Sequence, residues 1–134
     1  MKVKKGMVFG VFDGLHEGHK YFLKKAEEMC EQLVVVIARD EVAFALKGYA
    51  PKQSEEERVR TLKSLHPTFK VVLGDARSRK WTVLKTHTPD KIFLGYDQKE
   101  IGNELEKLGV SFEYIKAHEP ERFKSTFFNG KEKE

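Results

Sequence analysis

Positions 33 to 38 read Leu33-Val34-Val35-Val36-Ile37-Ala38, six apolar residues without interruption. Four of them are β-branched, which suits a strand better than a helix. A strand that is apolar on both faces must be covered on both, and the interior of a parallel sheet between helices provides that cover. The run is far too short to cross a bilayer. Elsewhere, strand-like apolar runs alternate with longer segments of helical periodicity. Such alternation requires crossover connections and a mostly parallel sheet with helices on both faces.

The expected fold class is therefore α/β, a Rossmann-like three-layer sandwich around a mostly parallel five-stranded sheet. Strands are predicted at 7–12, 33–38, 69–74, 91–95 and 110–115, the last at a sheet edge because its alternation is weak. Helices are predicted from about His19 to Glu31, from Asp40 to Leu46, from about Ser54 to Leu65, from Arg79 to Thr86 and from Glu100 to Leu108. Ser54 followed by Glu57 is a capping box, and Gly48 and Gly109 are placed to end helices. Ligands of such sheets bind at the carboxyl ends of the strands, near the switch in strand order. The loops to inspect are those after Phe12, Ala38, Gly74, Gly95 and Ile115.

The chain has 134 residues, with 25 Lys+Arg against 21 Asp+Glu and a net charge of +4. That length fits one domain, expected over residues 1–130, followed by a frayed charged tail at 131–134. Neither a repeat nor a low-complexity segment divides it. The basic start Lys2-Val3-Lys4-Lys5 is not followed by a long apolar segment or a cleavage site, and a lone cysteine, Cys30, fits a reducing compartment. A cytoplasmic location with no membrane attachment is expected. Cys30 itself is expected on a helix, packed and unreactive. The mild positive excess steers anions generally; Lys and Arg are scattered among acids, so nucleic-acid binding is not expected.

The first loop carries most of the chemistry. It reads Gly10-Val11-Phe12-Asp13-Gly14-Leu15-His16-Glu17-Gly18-His19 and joins the first strand to a helix. Gly10 and Gly14 permit a sharp turn or a close backbone approach. His16 and His19 stand at the entrance of a helix whose free amides favour an anion, and Gly18 leaves room where a phosphate would lie. These parts suit polyphosphate binding and stabilisation of charge during its cleavage. Alternatively, His16 is a capping residue and His19 a surface one; half of a metal site is a third reading, without further ligands nearby to complete it.

The segment Gly-x-Phe-Asp-x-x-His-x-Gly-His resembles the signature of the cytidylyltransferase-like nucleotidyltransferases. Ala38-Arg39-Asp40-Glu41, Lys47-Gly48, Pro51, Glu55-Glu56-Glu57-Arg58, Val72-Leu73-Gly74 and Pro89 to Gln98 are similar to archaeal FAD synthetases of that family. Near the carboxyl terminus Arg122-Phe123-Lys124-Ser125-Thr126 retains part of a stretch that closes over the nucleotide in glycerol-3-phosphate cytidylyltransferases, without its Gly-Ile pair. The resemblance implies transfer of AMP from ATP to FMN, with pyrophosphate released. Alternatives are a cytidylyltransferase using CTP and glycerol 3-phosphate, a sugar-phosphate adenylyltransferase, and a nucleotide-binding module without turnover. It also implies Mg²⁺ or another divalent cation with the nucleoside triphosphate, a phosphorylated small-molecule acceptor, and a homodimer.

The resemblance places Val11, Phe12, His16, Glu17, Gly18 and His19 against the nucleotide, with His16 and His19 donating to phosphate oxygens. Lys47 and Arg58 join them as catalytic cations, where a solvated lysine and a surface helix arginine are the plain alternatives. Asp97, beyond the fourth strand, contacts base or ribose, or caps the following helix. Asp40 caps a helix, or meets the nucleotide or a metal-bound water. Ser125 and Thr126 donate to phosphates from a closing loop, or begin a terminal helix. Trp81, Phe123, Phe127 and Phe128 stack on a flavin or base, or fill core and interface. His66, His87 and His118 are expected on surface or loops.

Overall fold

A computed structural model of the chain describes residues 2–75 and 81–116. The elements follow in the order β1 (Val3–Gly10), α1 (Glu17–Glu28), β2 (Cys30–Ile37), α2 (Asp40–Lys47), α3 (Glu55–Leu65), β3 (Lys70–Leu73), α4 (Thr82–His87), β4 (Lys91–Gly95), α5 (Lys99–Leu108) and β5 (Phe112–Ile115). All strand pairings are parallel, in the order β3-β2-β1-β4-β5. The chain walks outward from β1 through β2 to β3, then returns to β4 on the other side of β1. The switch in strand order thus falls between β1 and β4.

The apolar run behaves as a doubly covered strand. Leu33, Val35 and Ile37 face a core with Leu23 and Ala26 of α1 and Leu62 of α3. Val34 and Val36 face the opposite core, with Val83 of α4 and Leu105 of α5. Phe93 and Val8 join the first core, while Met7, Ile92 and Leu94 join the second. Gly6 lies under close packing: a Cβ there would stand 2.7 Å from the Phe93 ring and 2.9 Å from Cys30 Sγ.

Several boundaries differ from expectation. β1 ends at Gly10, not Phe12, because Phe12 takes φ 53° and folds its ring back over Gly10, where a Cβ would meet it at 2.6 Å. α1 starts at Glu17 and stops at Glu28, so Cys30 is not helical: it opens β2, buried, with its thiol donating to the Ala26 carbonyl. Strand β5 is at an edge, as expected. The start of the predicted 79–86 helix and everything from 117 onward lie outside the described residues; within them α4 runs from Thr82.

Candidate nucleotide site

At the carboxyl end of β1 the chain turns through Val11 to Leu15 and enters α1. His16 is the N-cap of that helix, and both histidines take part in the cap. His16 Nδ1 accepts from the Gly18 N–H at 3.1 Å, and His19 Nδ1 accepts from the His16 N–H at 3.4 Å. The rings stack, with centroids 3.8 Å apart and planes 24° from parallel. An imidazole whose Nδ1 accepts carries its proton on Nε2 when neutral. Each histidine therefore keeps one N–H donor without needing a positive charge. Gly18 serves this arrangement: a Cβ there would sit 2.9 Å from His16 Cε1, so the space left by the missing side chain is occupied by the His16 ring rather than left open.

His19 is half-buried, with the Phe12 ring edge-on at 5.4 Å. Burial pushes its pKa down to about 4, helped electrostatically by the neighbouring His16 and Lys47, against an opposing pull from Asp97. At neutral pH it is an uncharged donor. Those same influences locate Lys47, in the last turn of α2, and Asp97, beyond β4, within electrostatic reach of His19. Asp97 does not cap α5. Gln98 holds the cap position and makes no side-chain cap bond, while Asp97 Oδ1 lies over Gly95, 3.0 Å from where a Cβ would be.

Arg58 corrects an expectation. It sits on α3 with its side chain wholly buried, not reaching outward. Its Nε donates to the Gln53 carbonyl at 3.1 Å; Nη1 donates to the Val11 and Ala38 carbonyls at 2.9 and 2.8 Å. Nη2 meets Asp40 Oδ1 at 2.7 Å. The guanidinium is committed to tying the loop after β1 to the loop after β2 and to the approach to α3. Asp40 is likewise the first residue of α2 and not its cap, with one carboxylate oxygen given to Arg58.

Asp13, which sequence reasoning left without a task, completes the tie. Its carboxylate accepts from the Lys52 and Gln53 N–H groups at 2.9 and 3.0 Å. Burial opposes its charge, but those two amides and the Arg58 guanidinium outweigh that, and hold its carboxyl below the ordinary range. Glu55 accepts from the Asp40 N–H at 2.8 Å and pairs with Arg39 at 3.5 Å, and Arg39 Nε donates to the Gly74 carbonyl. The only available signal for Asp13 was its place inside the glycine-histidine motif. For Gln98, treated below, it was its position beside Asp97.

Other expected residues are placed more simply. Glu17 and Gly18 are exposed in the first turn of α1. Trp81 packs into the second core, edge-on to Phe9 at 5.6 Å, with its indole N–H buried without an acceptor among the described residues. His66 ends α3 and stacks on Phe69. Burial lowers the His87 pKa at the end of α4. Ser125, Thr126, Arg122, His118 and the aromatics Phe123, Phe127 and Phe128 lie outside the described residues. Among those described, no group of three or more His, Cys, Asp or Glu side chains is arranged to hold a metal ion. No described helix is long and apolar enough to cross a membrane.

Known proteins resemble this chain in sequence and fold. The FAD synthase of Thermococcus sibiricus is 39% identical over 111 residues, spanning 80% of this chain and 75% of that protein. The FAD synthase of Methanopyrus kandleri is 40% identical over 126 residues, 89% of this chain and 83% of its own length. The crystal structure of the lipopolysaccharide core biosynthesis protein from Thermoplasma volcanium superposes with a TM-score of 0.72 at 33% identity, covering 86% of this chain and 96% of that one. The cytidylyltransferase-like family pattern matches residues 7–129, nearly the whole chain. With that span, those identities and the histidine-capped helix at the switch point, the chain belongs to the cytidylyltransferase-like family of nucleotidyltransferases.

Proposed function

We propose that the protein transfers AMP from ATP to the phosphate of FMN, producing FAD and pyrophosphate. The observation that carries nucleotidyl transfer is the stacked His16–His19 pair, each ring with Nδ1 engaged in the helix cap and Nε2 left as donor. The choice of ATP and FMN is supported by relatives named FAD synthase at 35–40% identity over most of the chain.

In this reading an oxygen of the FMN phosphate attacks the α-phosphorus of ATP. The bond from that phosphorus to the oxygen bridging to the β-phosphate breaks, and its electron pair leaves with pyrophosphate. No protein nucleophile is needed, since positioning and charge stabilisation supply the rate. His16 and His19 donate Nε2–H to phosphate oxygens on which charge grows. Lys47 adds positive charge from α2. Asp97 takes the ribose or base in this reading, and Glu17, Gly18, Val11 and Phe12 the phosphate side. Arg58 acts through the loop it anchors instead of touching phosphate. A divalent cation would be carried with the triphosphate, whose oxygens suit it as hard ligands, and would offset its negative charge.

The Thermoplasma volcanium structure, named for lipopolysaccharide core biosynthesis, favours a second reading in which the acceptor is a sugar phosphate. The two separate in one assay. Purified protein is incubated with ATP or CTP against FMN, glycerol 3-phosphate or a sugar phosphate, and pyrophosphate and FAD are measured. FAD formed from ATP and FMN is the expected result. Pyrophosphate released only with another pair overturns the FMN assignment, and nucleotide binding without turnover on any acceptor overturns the enzyme reading.

A further inference from the structure

The two neighbours of β1 treat it differently. With β2 its register is continuous from Val3↔Cys30 to Gly10↔Ile37. With β4 it is matched only at Gly6↔Lys91 and Met7↔Ile92. Continued, that register would bring Phe9 opposite Leu94 and Gly10 opposite Gly95, and neither pair forms. The ladder opens toward the carboxyl ends, where the strand order reverses and a nucleotide is expected to lie. Opening a ladder leaves backbone donors and acceptors that must find other partners.

Gln98 supplies them. Its Oε1 accepts from the Gly95 N–H at 2.9 Å, and its Nε2 donates to the Phe9 carbonyl at 2.9 Å. Its own backbone N–H returns to the Gly95 carbonyl at 3.0 Å. The carboxamide thus bridges β4 and β1 as an extra peptide group would. Only one orientation of the amide satisfies both partners, because one is a donor and the other an acceptor. The commitment explains why Gln98 occupies the N-cap of α5 yet gives that helix no side-chain cap bond.

We propose that Gln98 is a positioning residue whose carboxamide sets the width of the crevice between the carboxyl ends of β1 and β4, and thereby the fit of the nucleotide's ribose and base. It rests on the reading of the site as a nucleotide site. Its effect belongs to nucleotide binding, because the Gln98 carboxamide is spent on the Gly95 N–H and the Phe9 carbonyl, while the phosphate donors are His16 and His19.

The test compares wild type with Gln98→Glu and Gln98→Ala. The glutamate keeps length and shape, but sets an oxygen against the Phe9 carbonyl; the alanine removes the bridge. KM for ATP is expected to rise at least tenfold in both, with kcat and KM for FMN within threefold of wild type. Unchanged KM for ATP, an equal loss in kcat, or failure of both variants to fold overturns the inference. Calorimetric titration with a non-hydrolysable ATP analogue separates this from failure of the FMN assignment. If wild type makes no FAD but binds the analogue, a tenfold weaker affinity in Gln98→Glu still supports the crevice role. Equal affinity, or no binding by wild type, overturns it.

Discussion

Two imidazoles 3.8 Å apart would repel if both were charged, yet a site that stabilises phosphate needs donors. The helix cap resolves the conflict, because it engages Nδ1 of each ring and leaves Nε2–H on a neutral imidazole. If that is how the pair works, His19→Ala lowers kcat by about 10²–10³-fold, the usual consequence of deleting one donor to developing charge. Circular dichroism should show the fold intact, with about 1 kcal/mol lost from the weakened cap. Titration of the His19 ring by NMR should give a midpoint near pH 4. In His16→Ala that midpoint should rise toward the ordinary histidine value, since the variant removes the stacked ring that shields His19 from water. A midpoint that stays or falls removes the stacking account. The histidines were legible from their spacing at a strand-to-helix turn. The part Gly18 plays in the cap was not legible, because only the folded structure shows that a side chain there would meet the His16 ring.

At the scale of elements, α3 does more than cover the sheet. Its capping box is complete, with Ser54 Oγ accepting from Glu57 N–H and the Glu57 carboxylate from Ser54 N–H. Ser54→Ala should cost about 1 kcal/mol in urea unfolding. Arg58, one turn further on, ties three loops, and Arg58→Met should cost about 3–5 kcal/mol by stranding Asp40 and three carbonyls. It should also depress kcat, because the Val11 carbonyl it anchors belongs to the loop that carries the histidines. The box could be read from four adjacent residues, as could the glycine stops of α2 and α5. The buried fate of Arg58 could not, since its partners lie up to 47 positions away and helical periodicity makes its side appear exposed. The same limit hid Gln98, whose carboxamide joins Phe9 across 89 positions. The two-residue error at the end of β1 has a related origin: an apolar Phe12 extends the strand pattern, while the chain turns so that its ring can be buried.

For the whole molecule, these local arrangements add to one pH dependence. His19 takes up a proton near 6.5 when unfolded but only near 4 when folded, so unfolding binds a proton between those values and stability falls as pH drops through that window. Asp13 acts in the same direction lower down. Its unfolded carboxyl protonates near 3.8 and its folded one only below that, so its contribution is present above 3.8 and lost as pH falls through the depressed value. At the alkaline end, burial foremost raises the Cys30 thiol pKa above 9.0. An unfolded thiolate then forms before a folded one, and stability declines again as pH rises past 9. A thiol probe should accordingly label Cys30 only on unfolding. Urea denaturation from pH 7 to 3 should show a fall beginning near 6.5, well above the carboxylate range. In His19→Gln that first fall should shrink to what His87, whose pKa burial also lowers, still contributes, while the lower one persists because Asp13 and its two amides are untouched. A wild-type curve that stays level down to pH 4 would mean that His19 is not held neutral by the fold, and the uncharged-donor account of the site would fall with it.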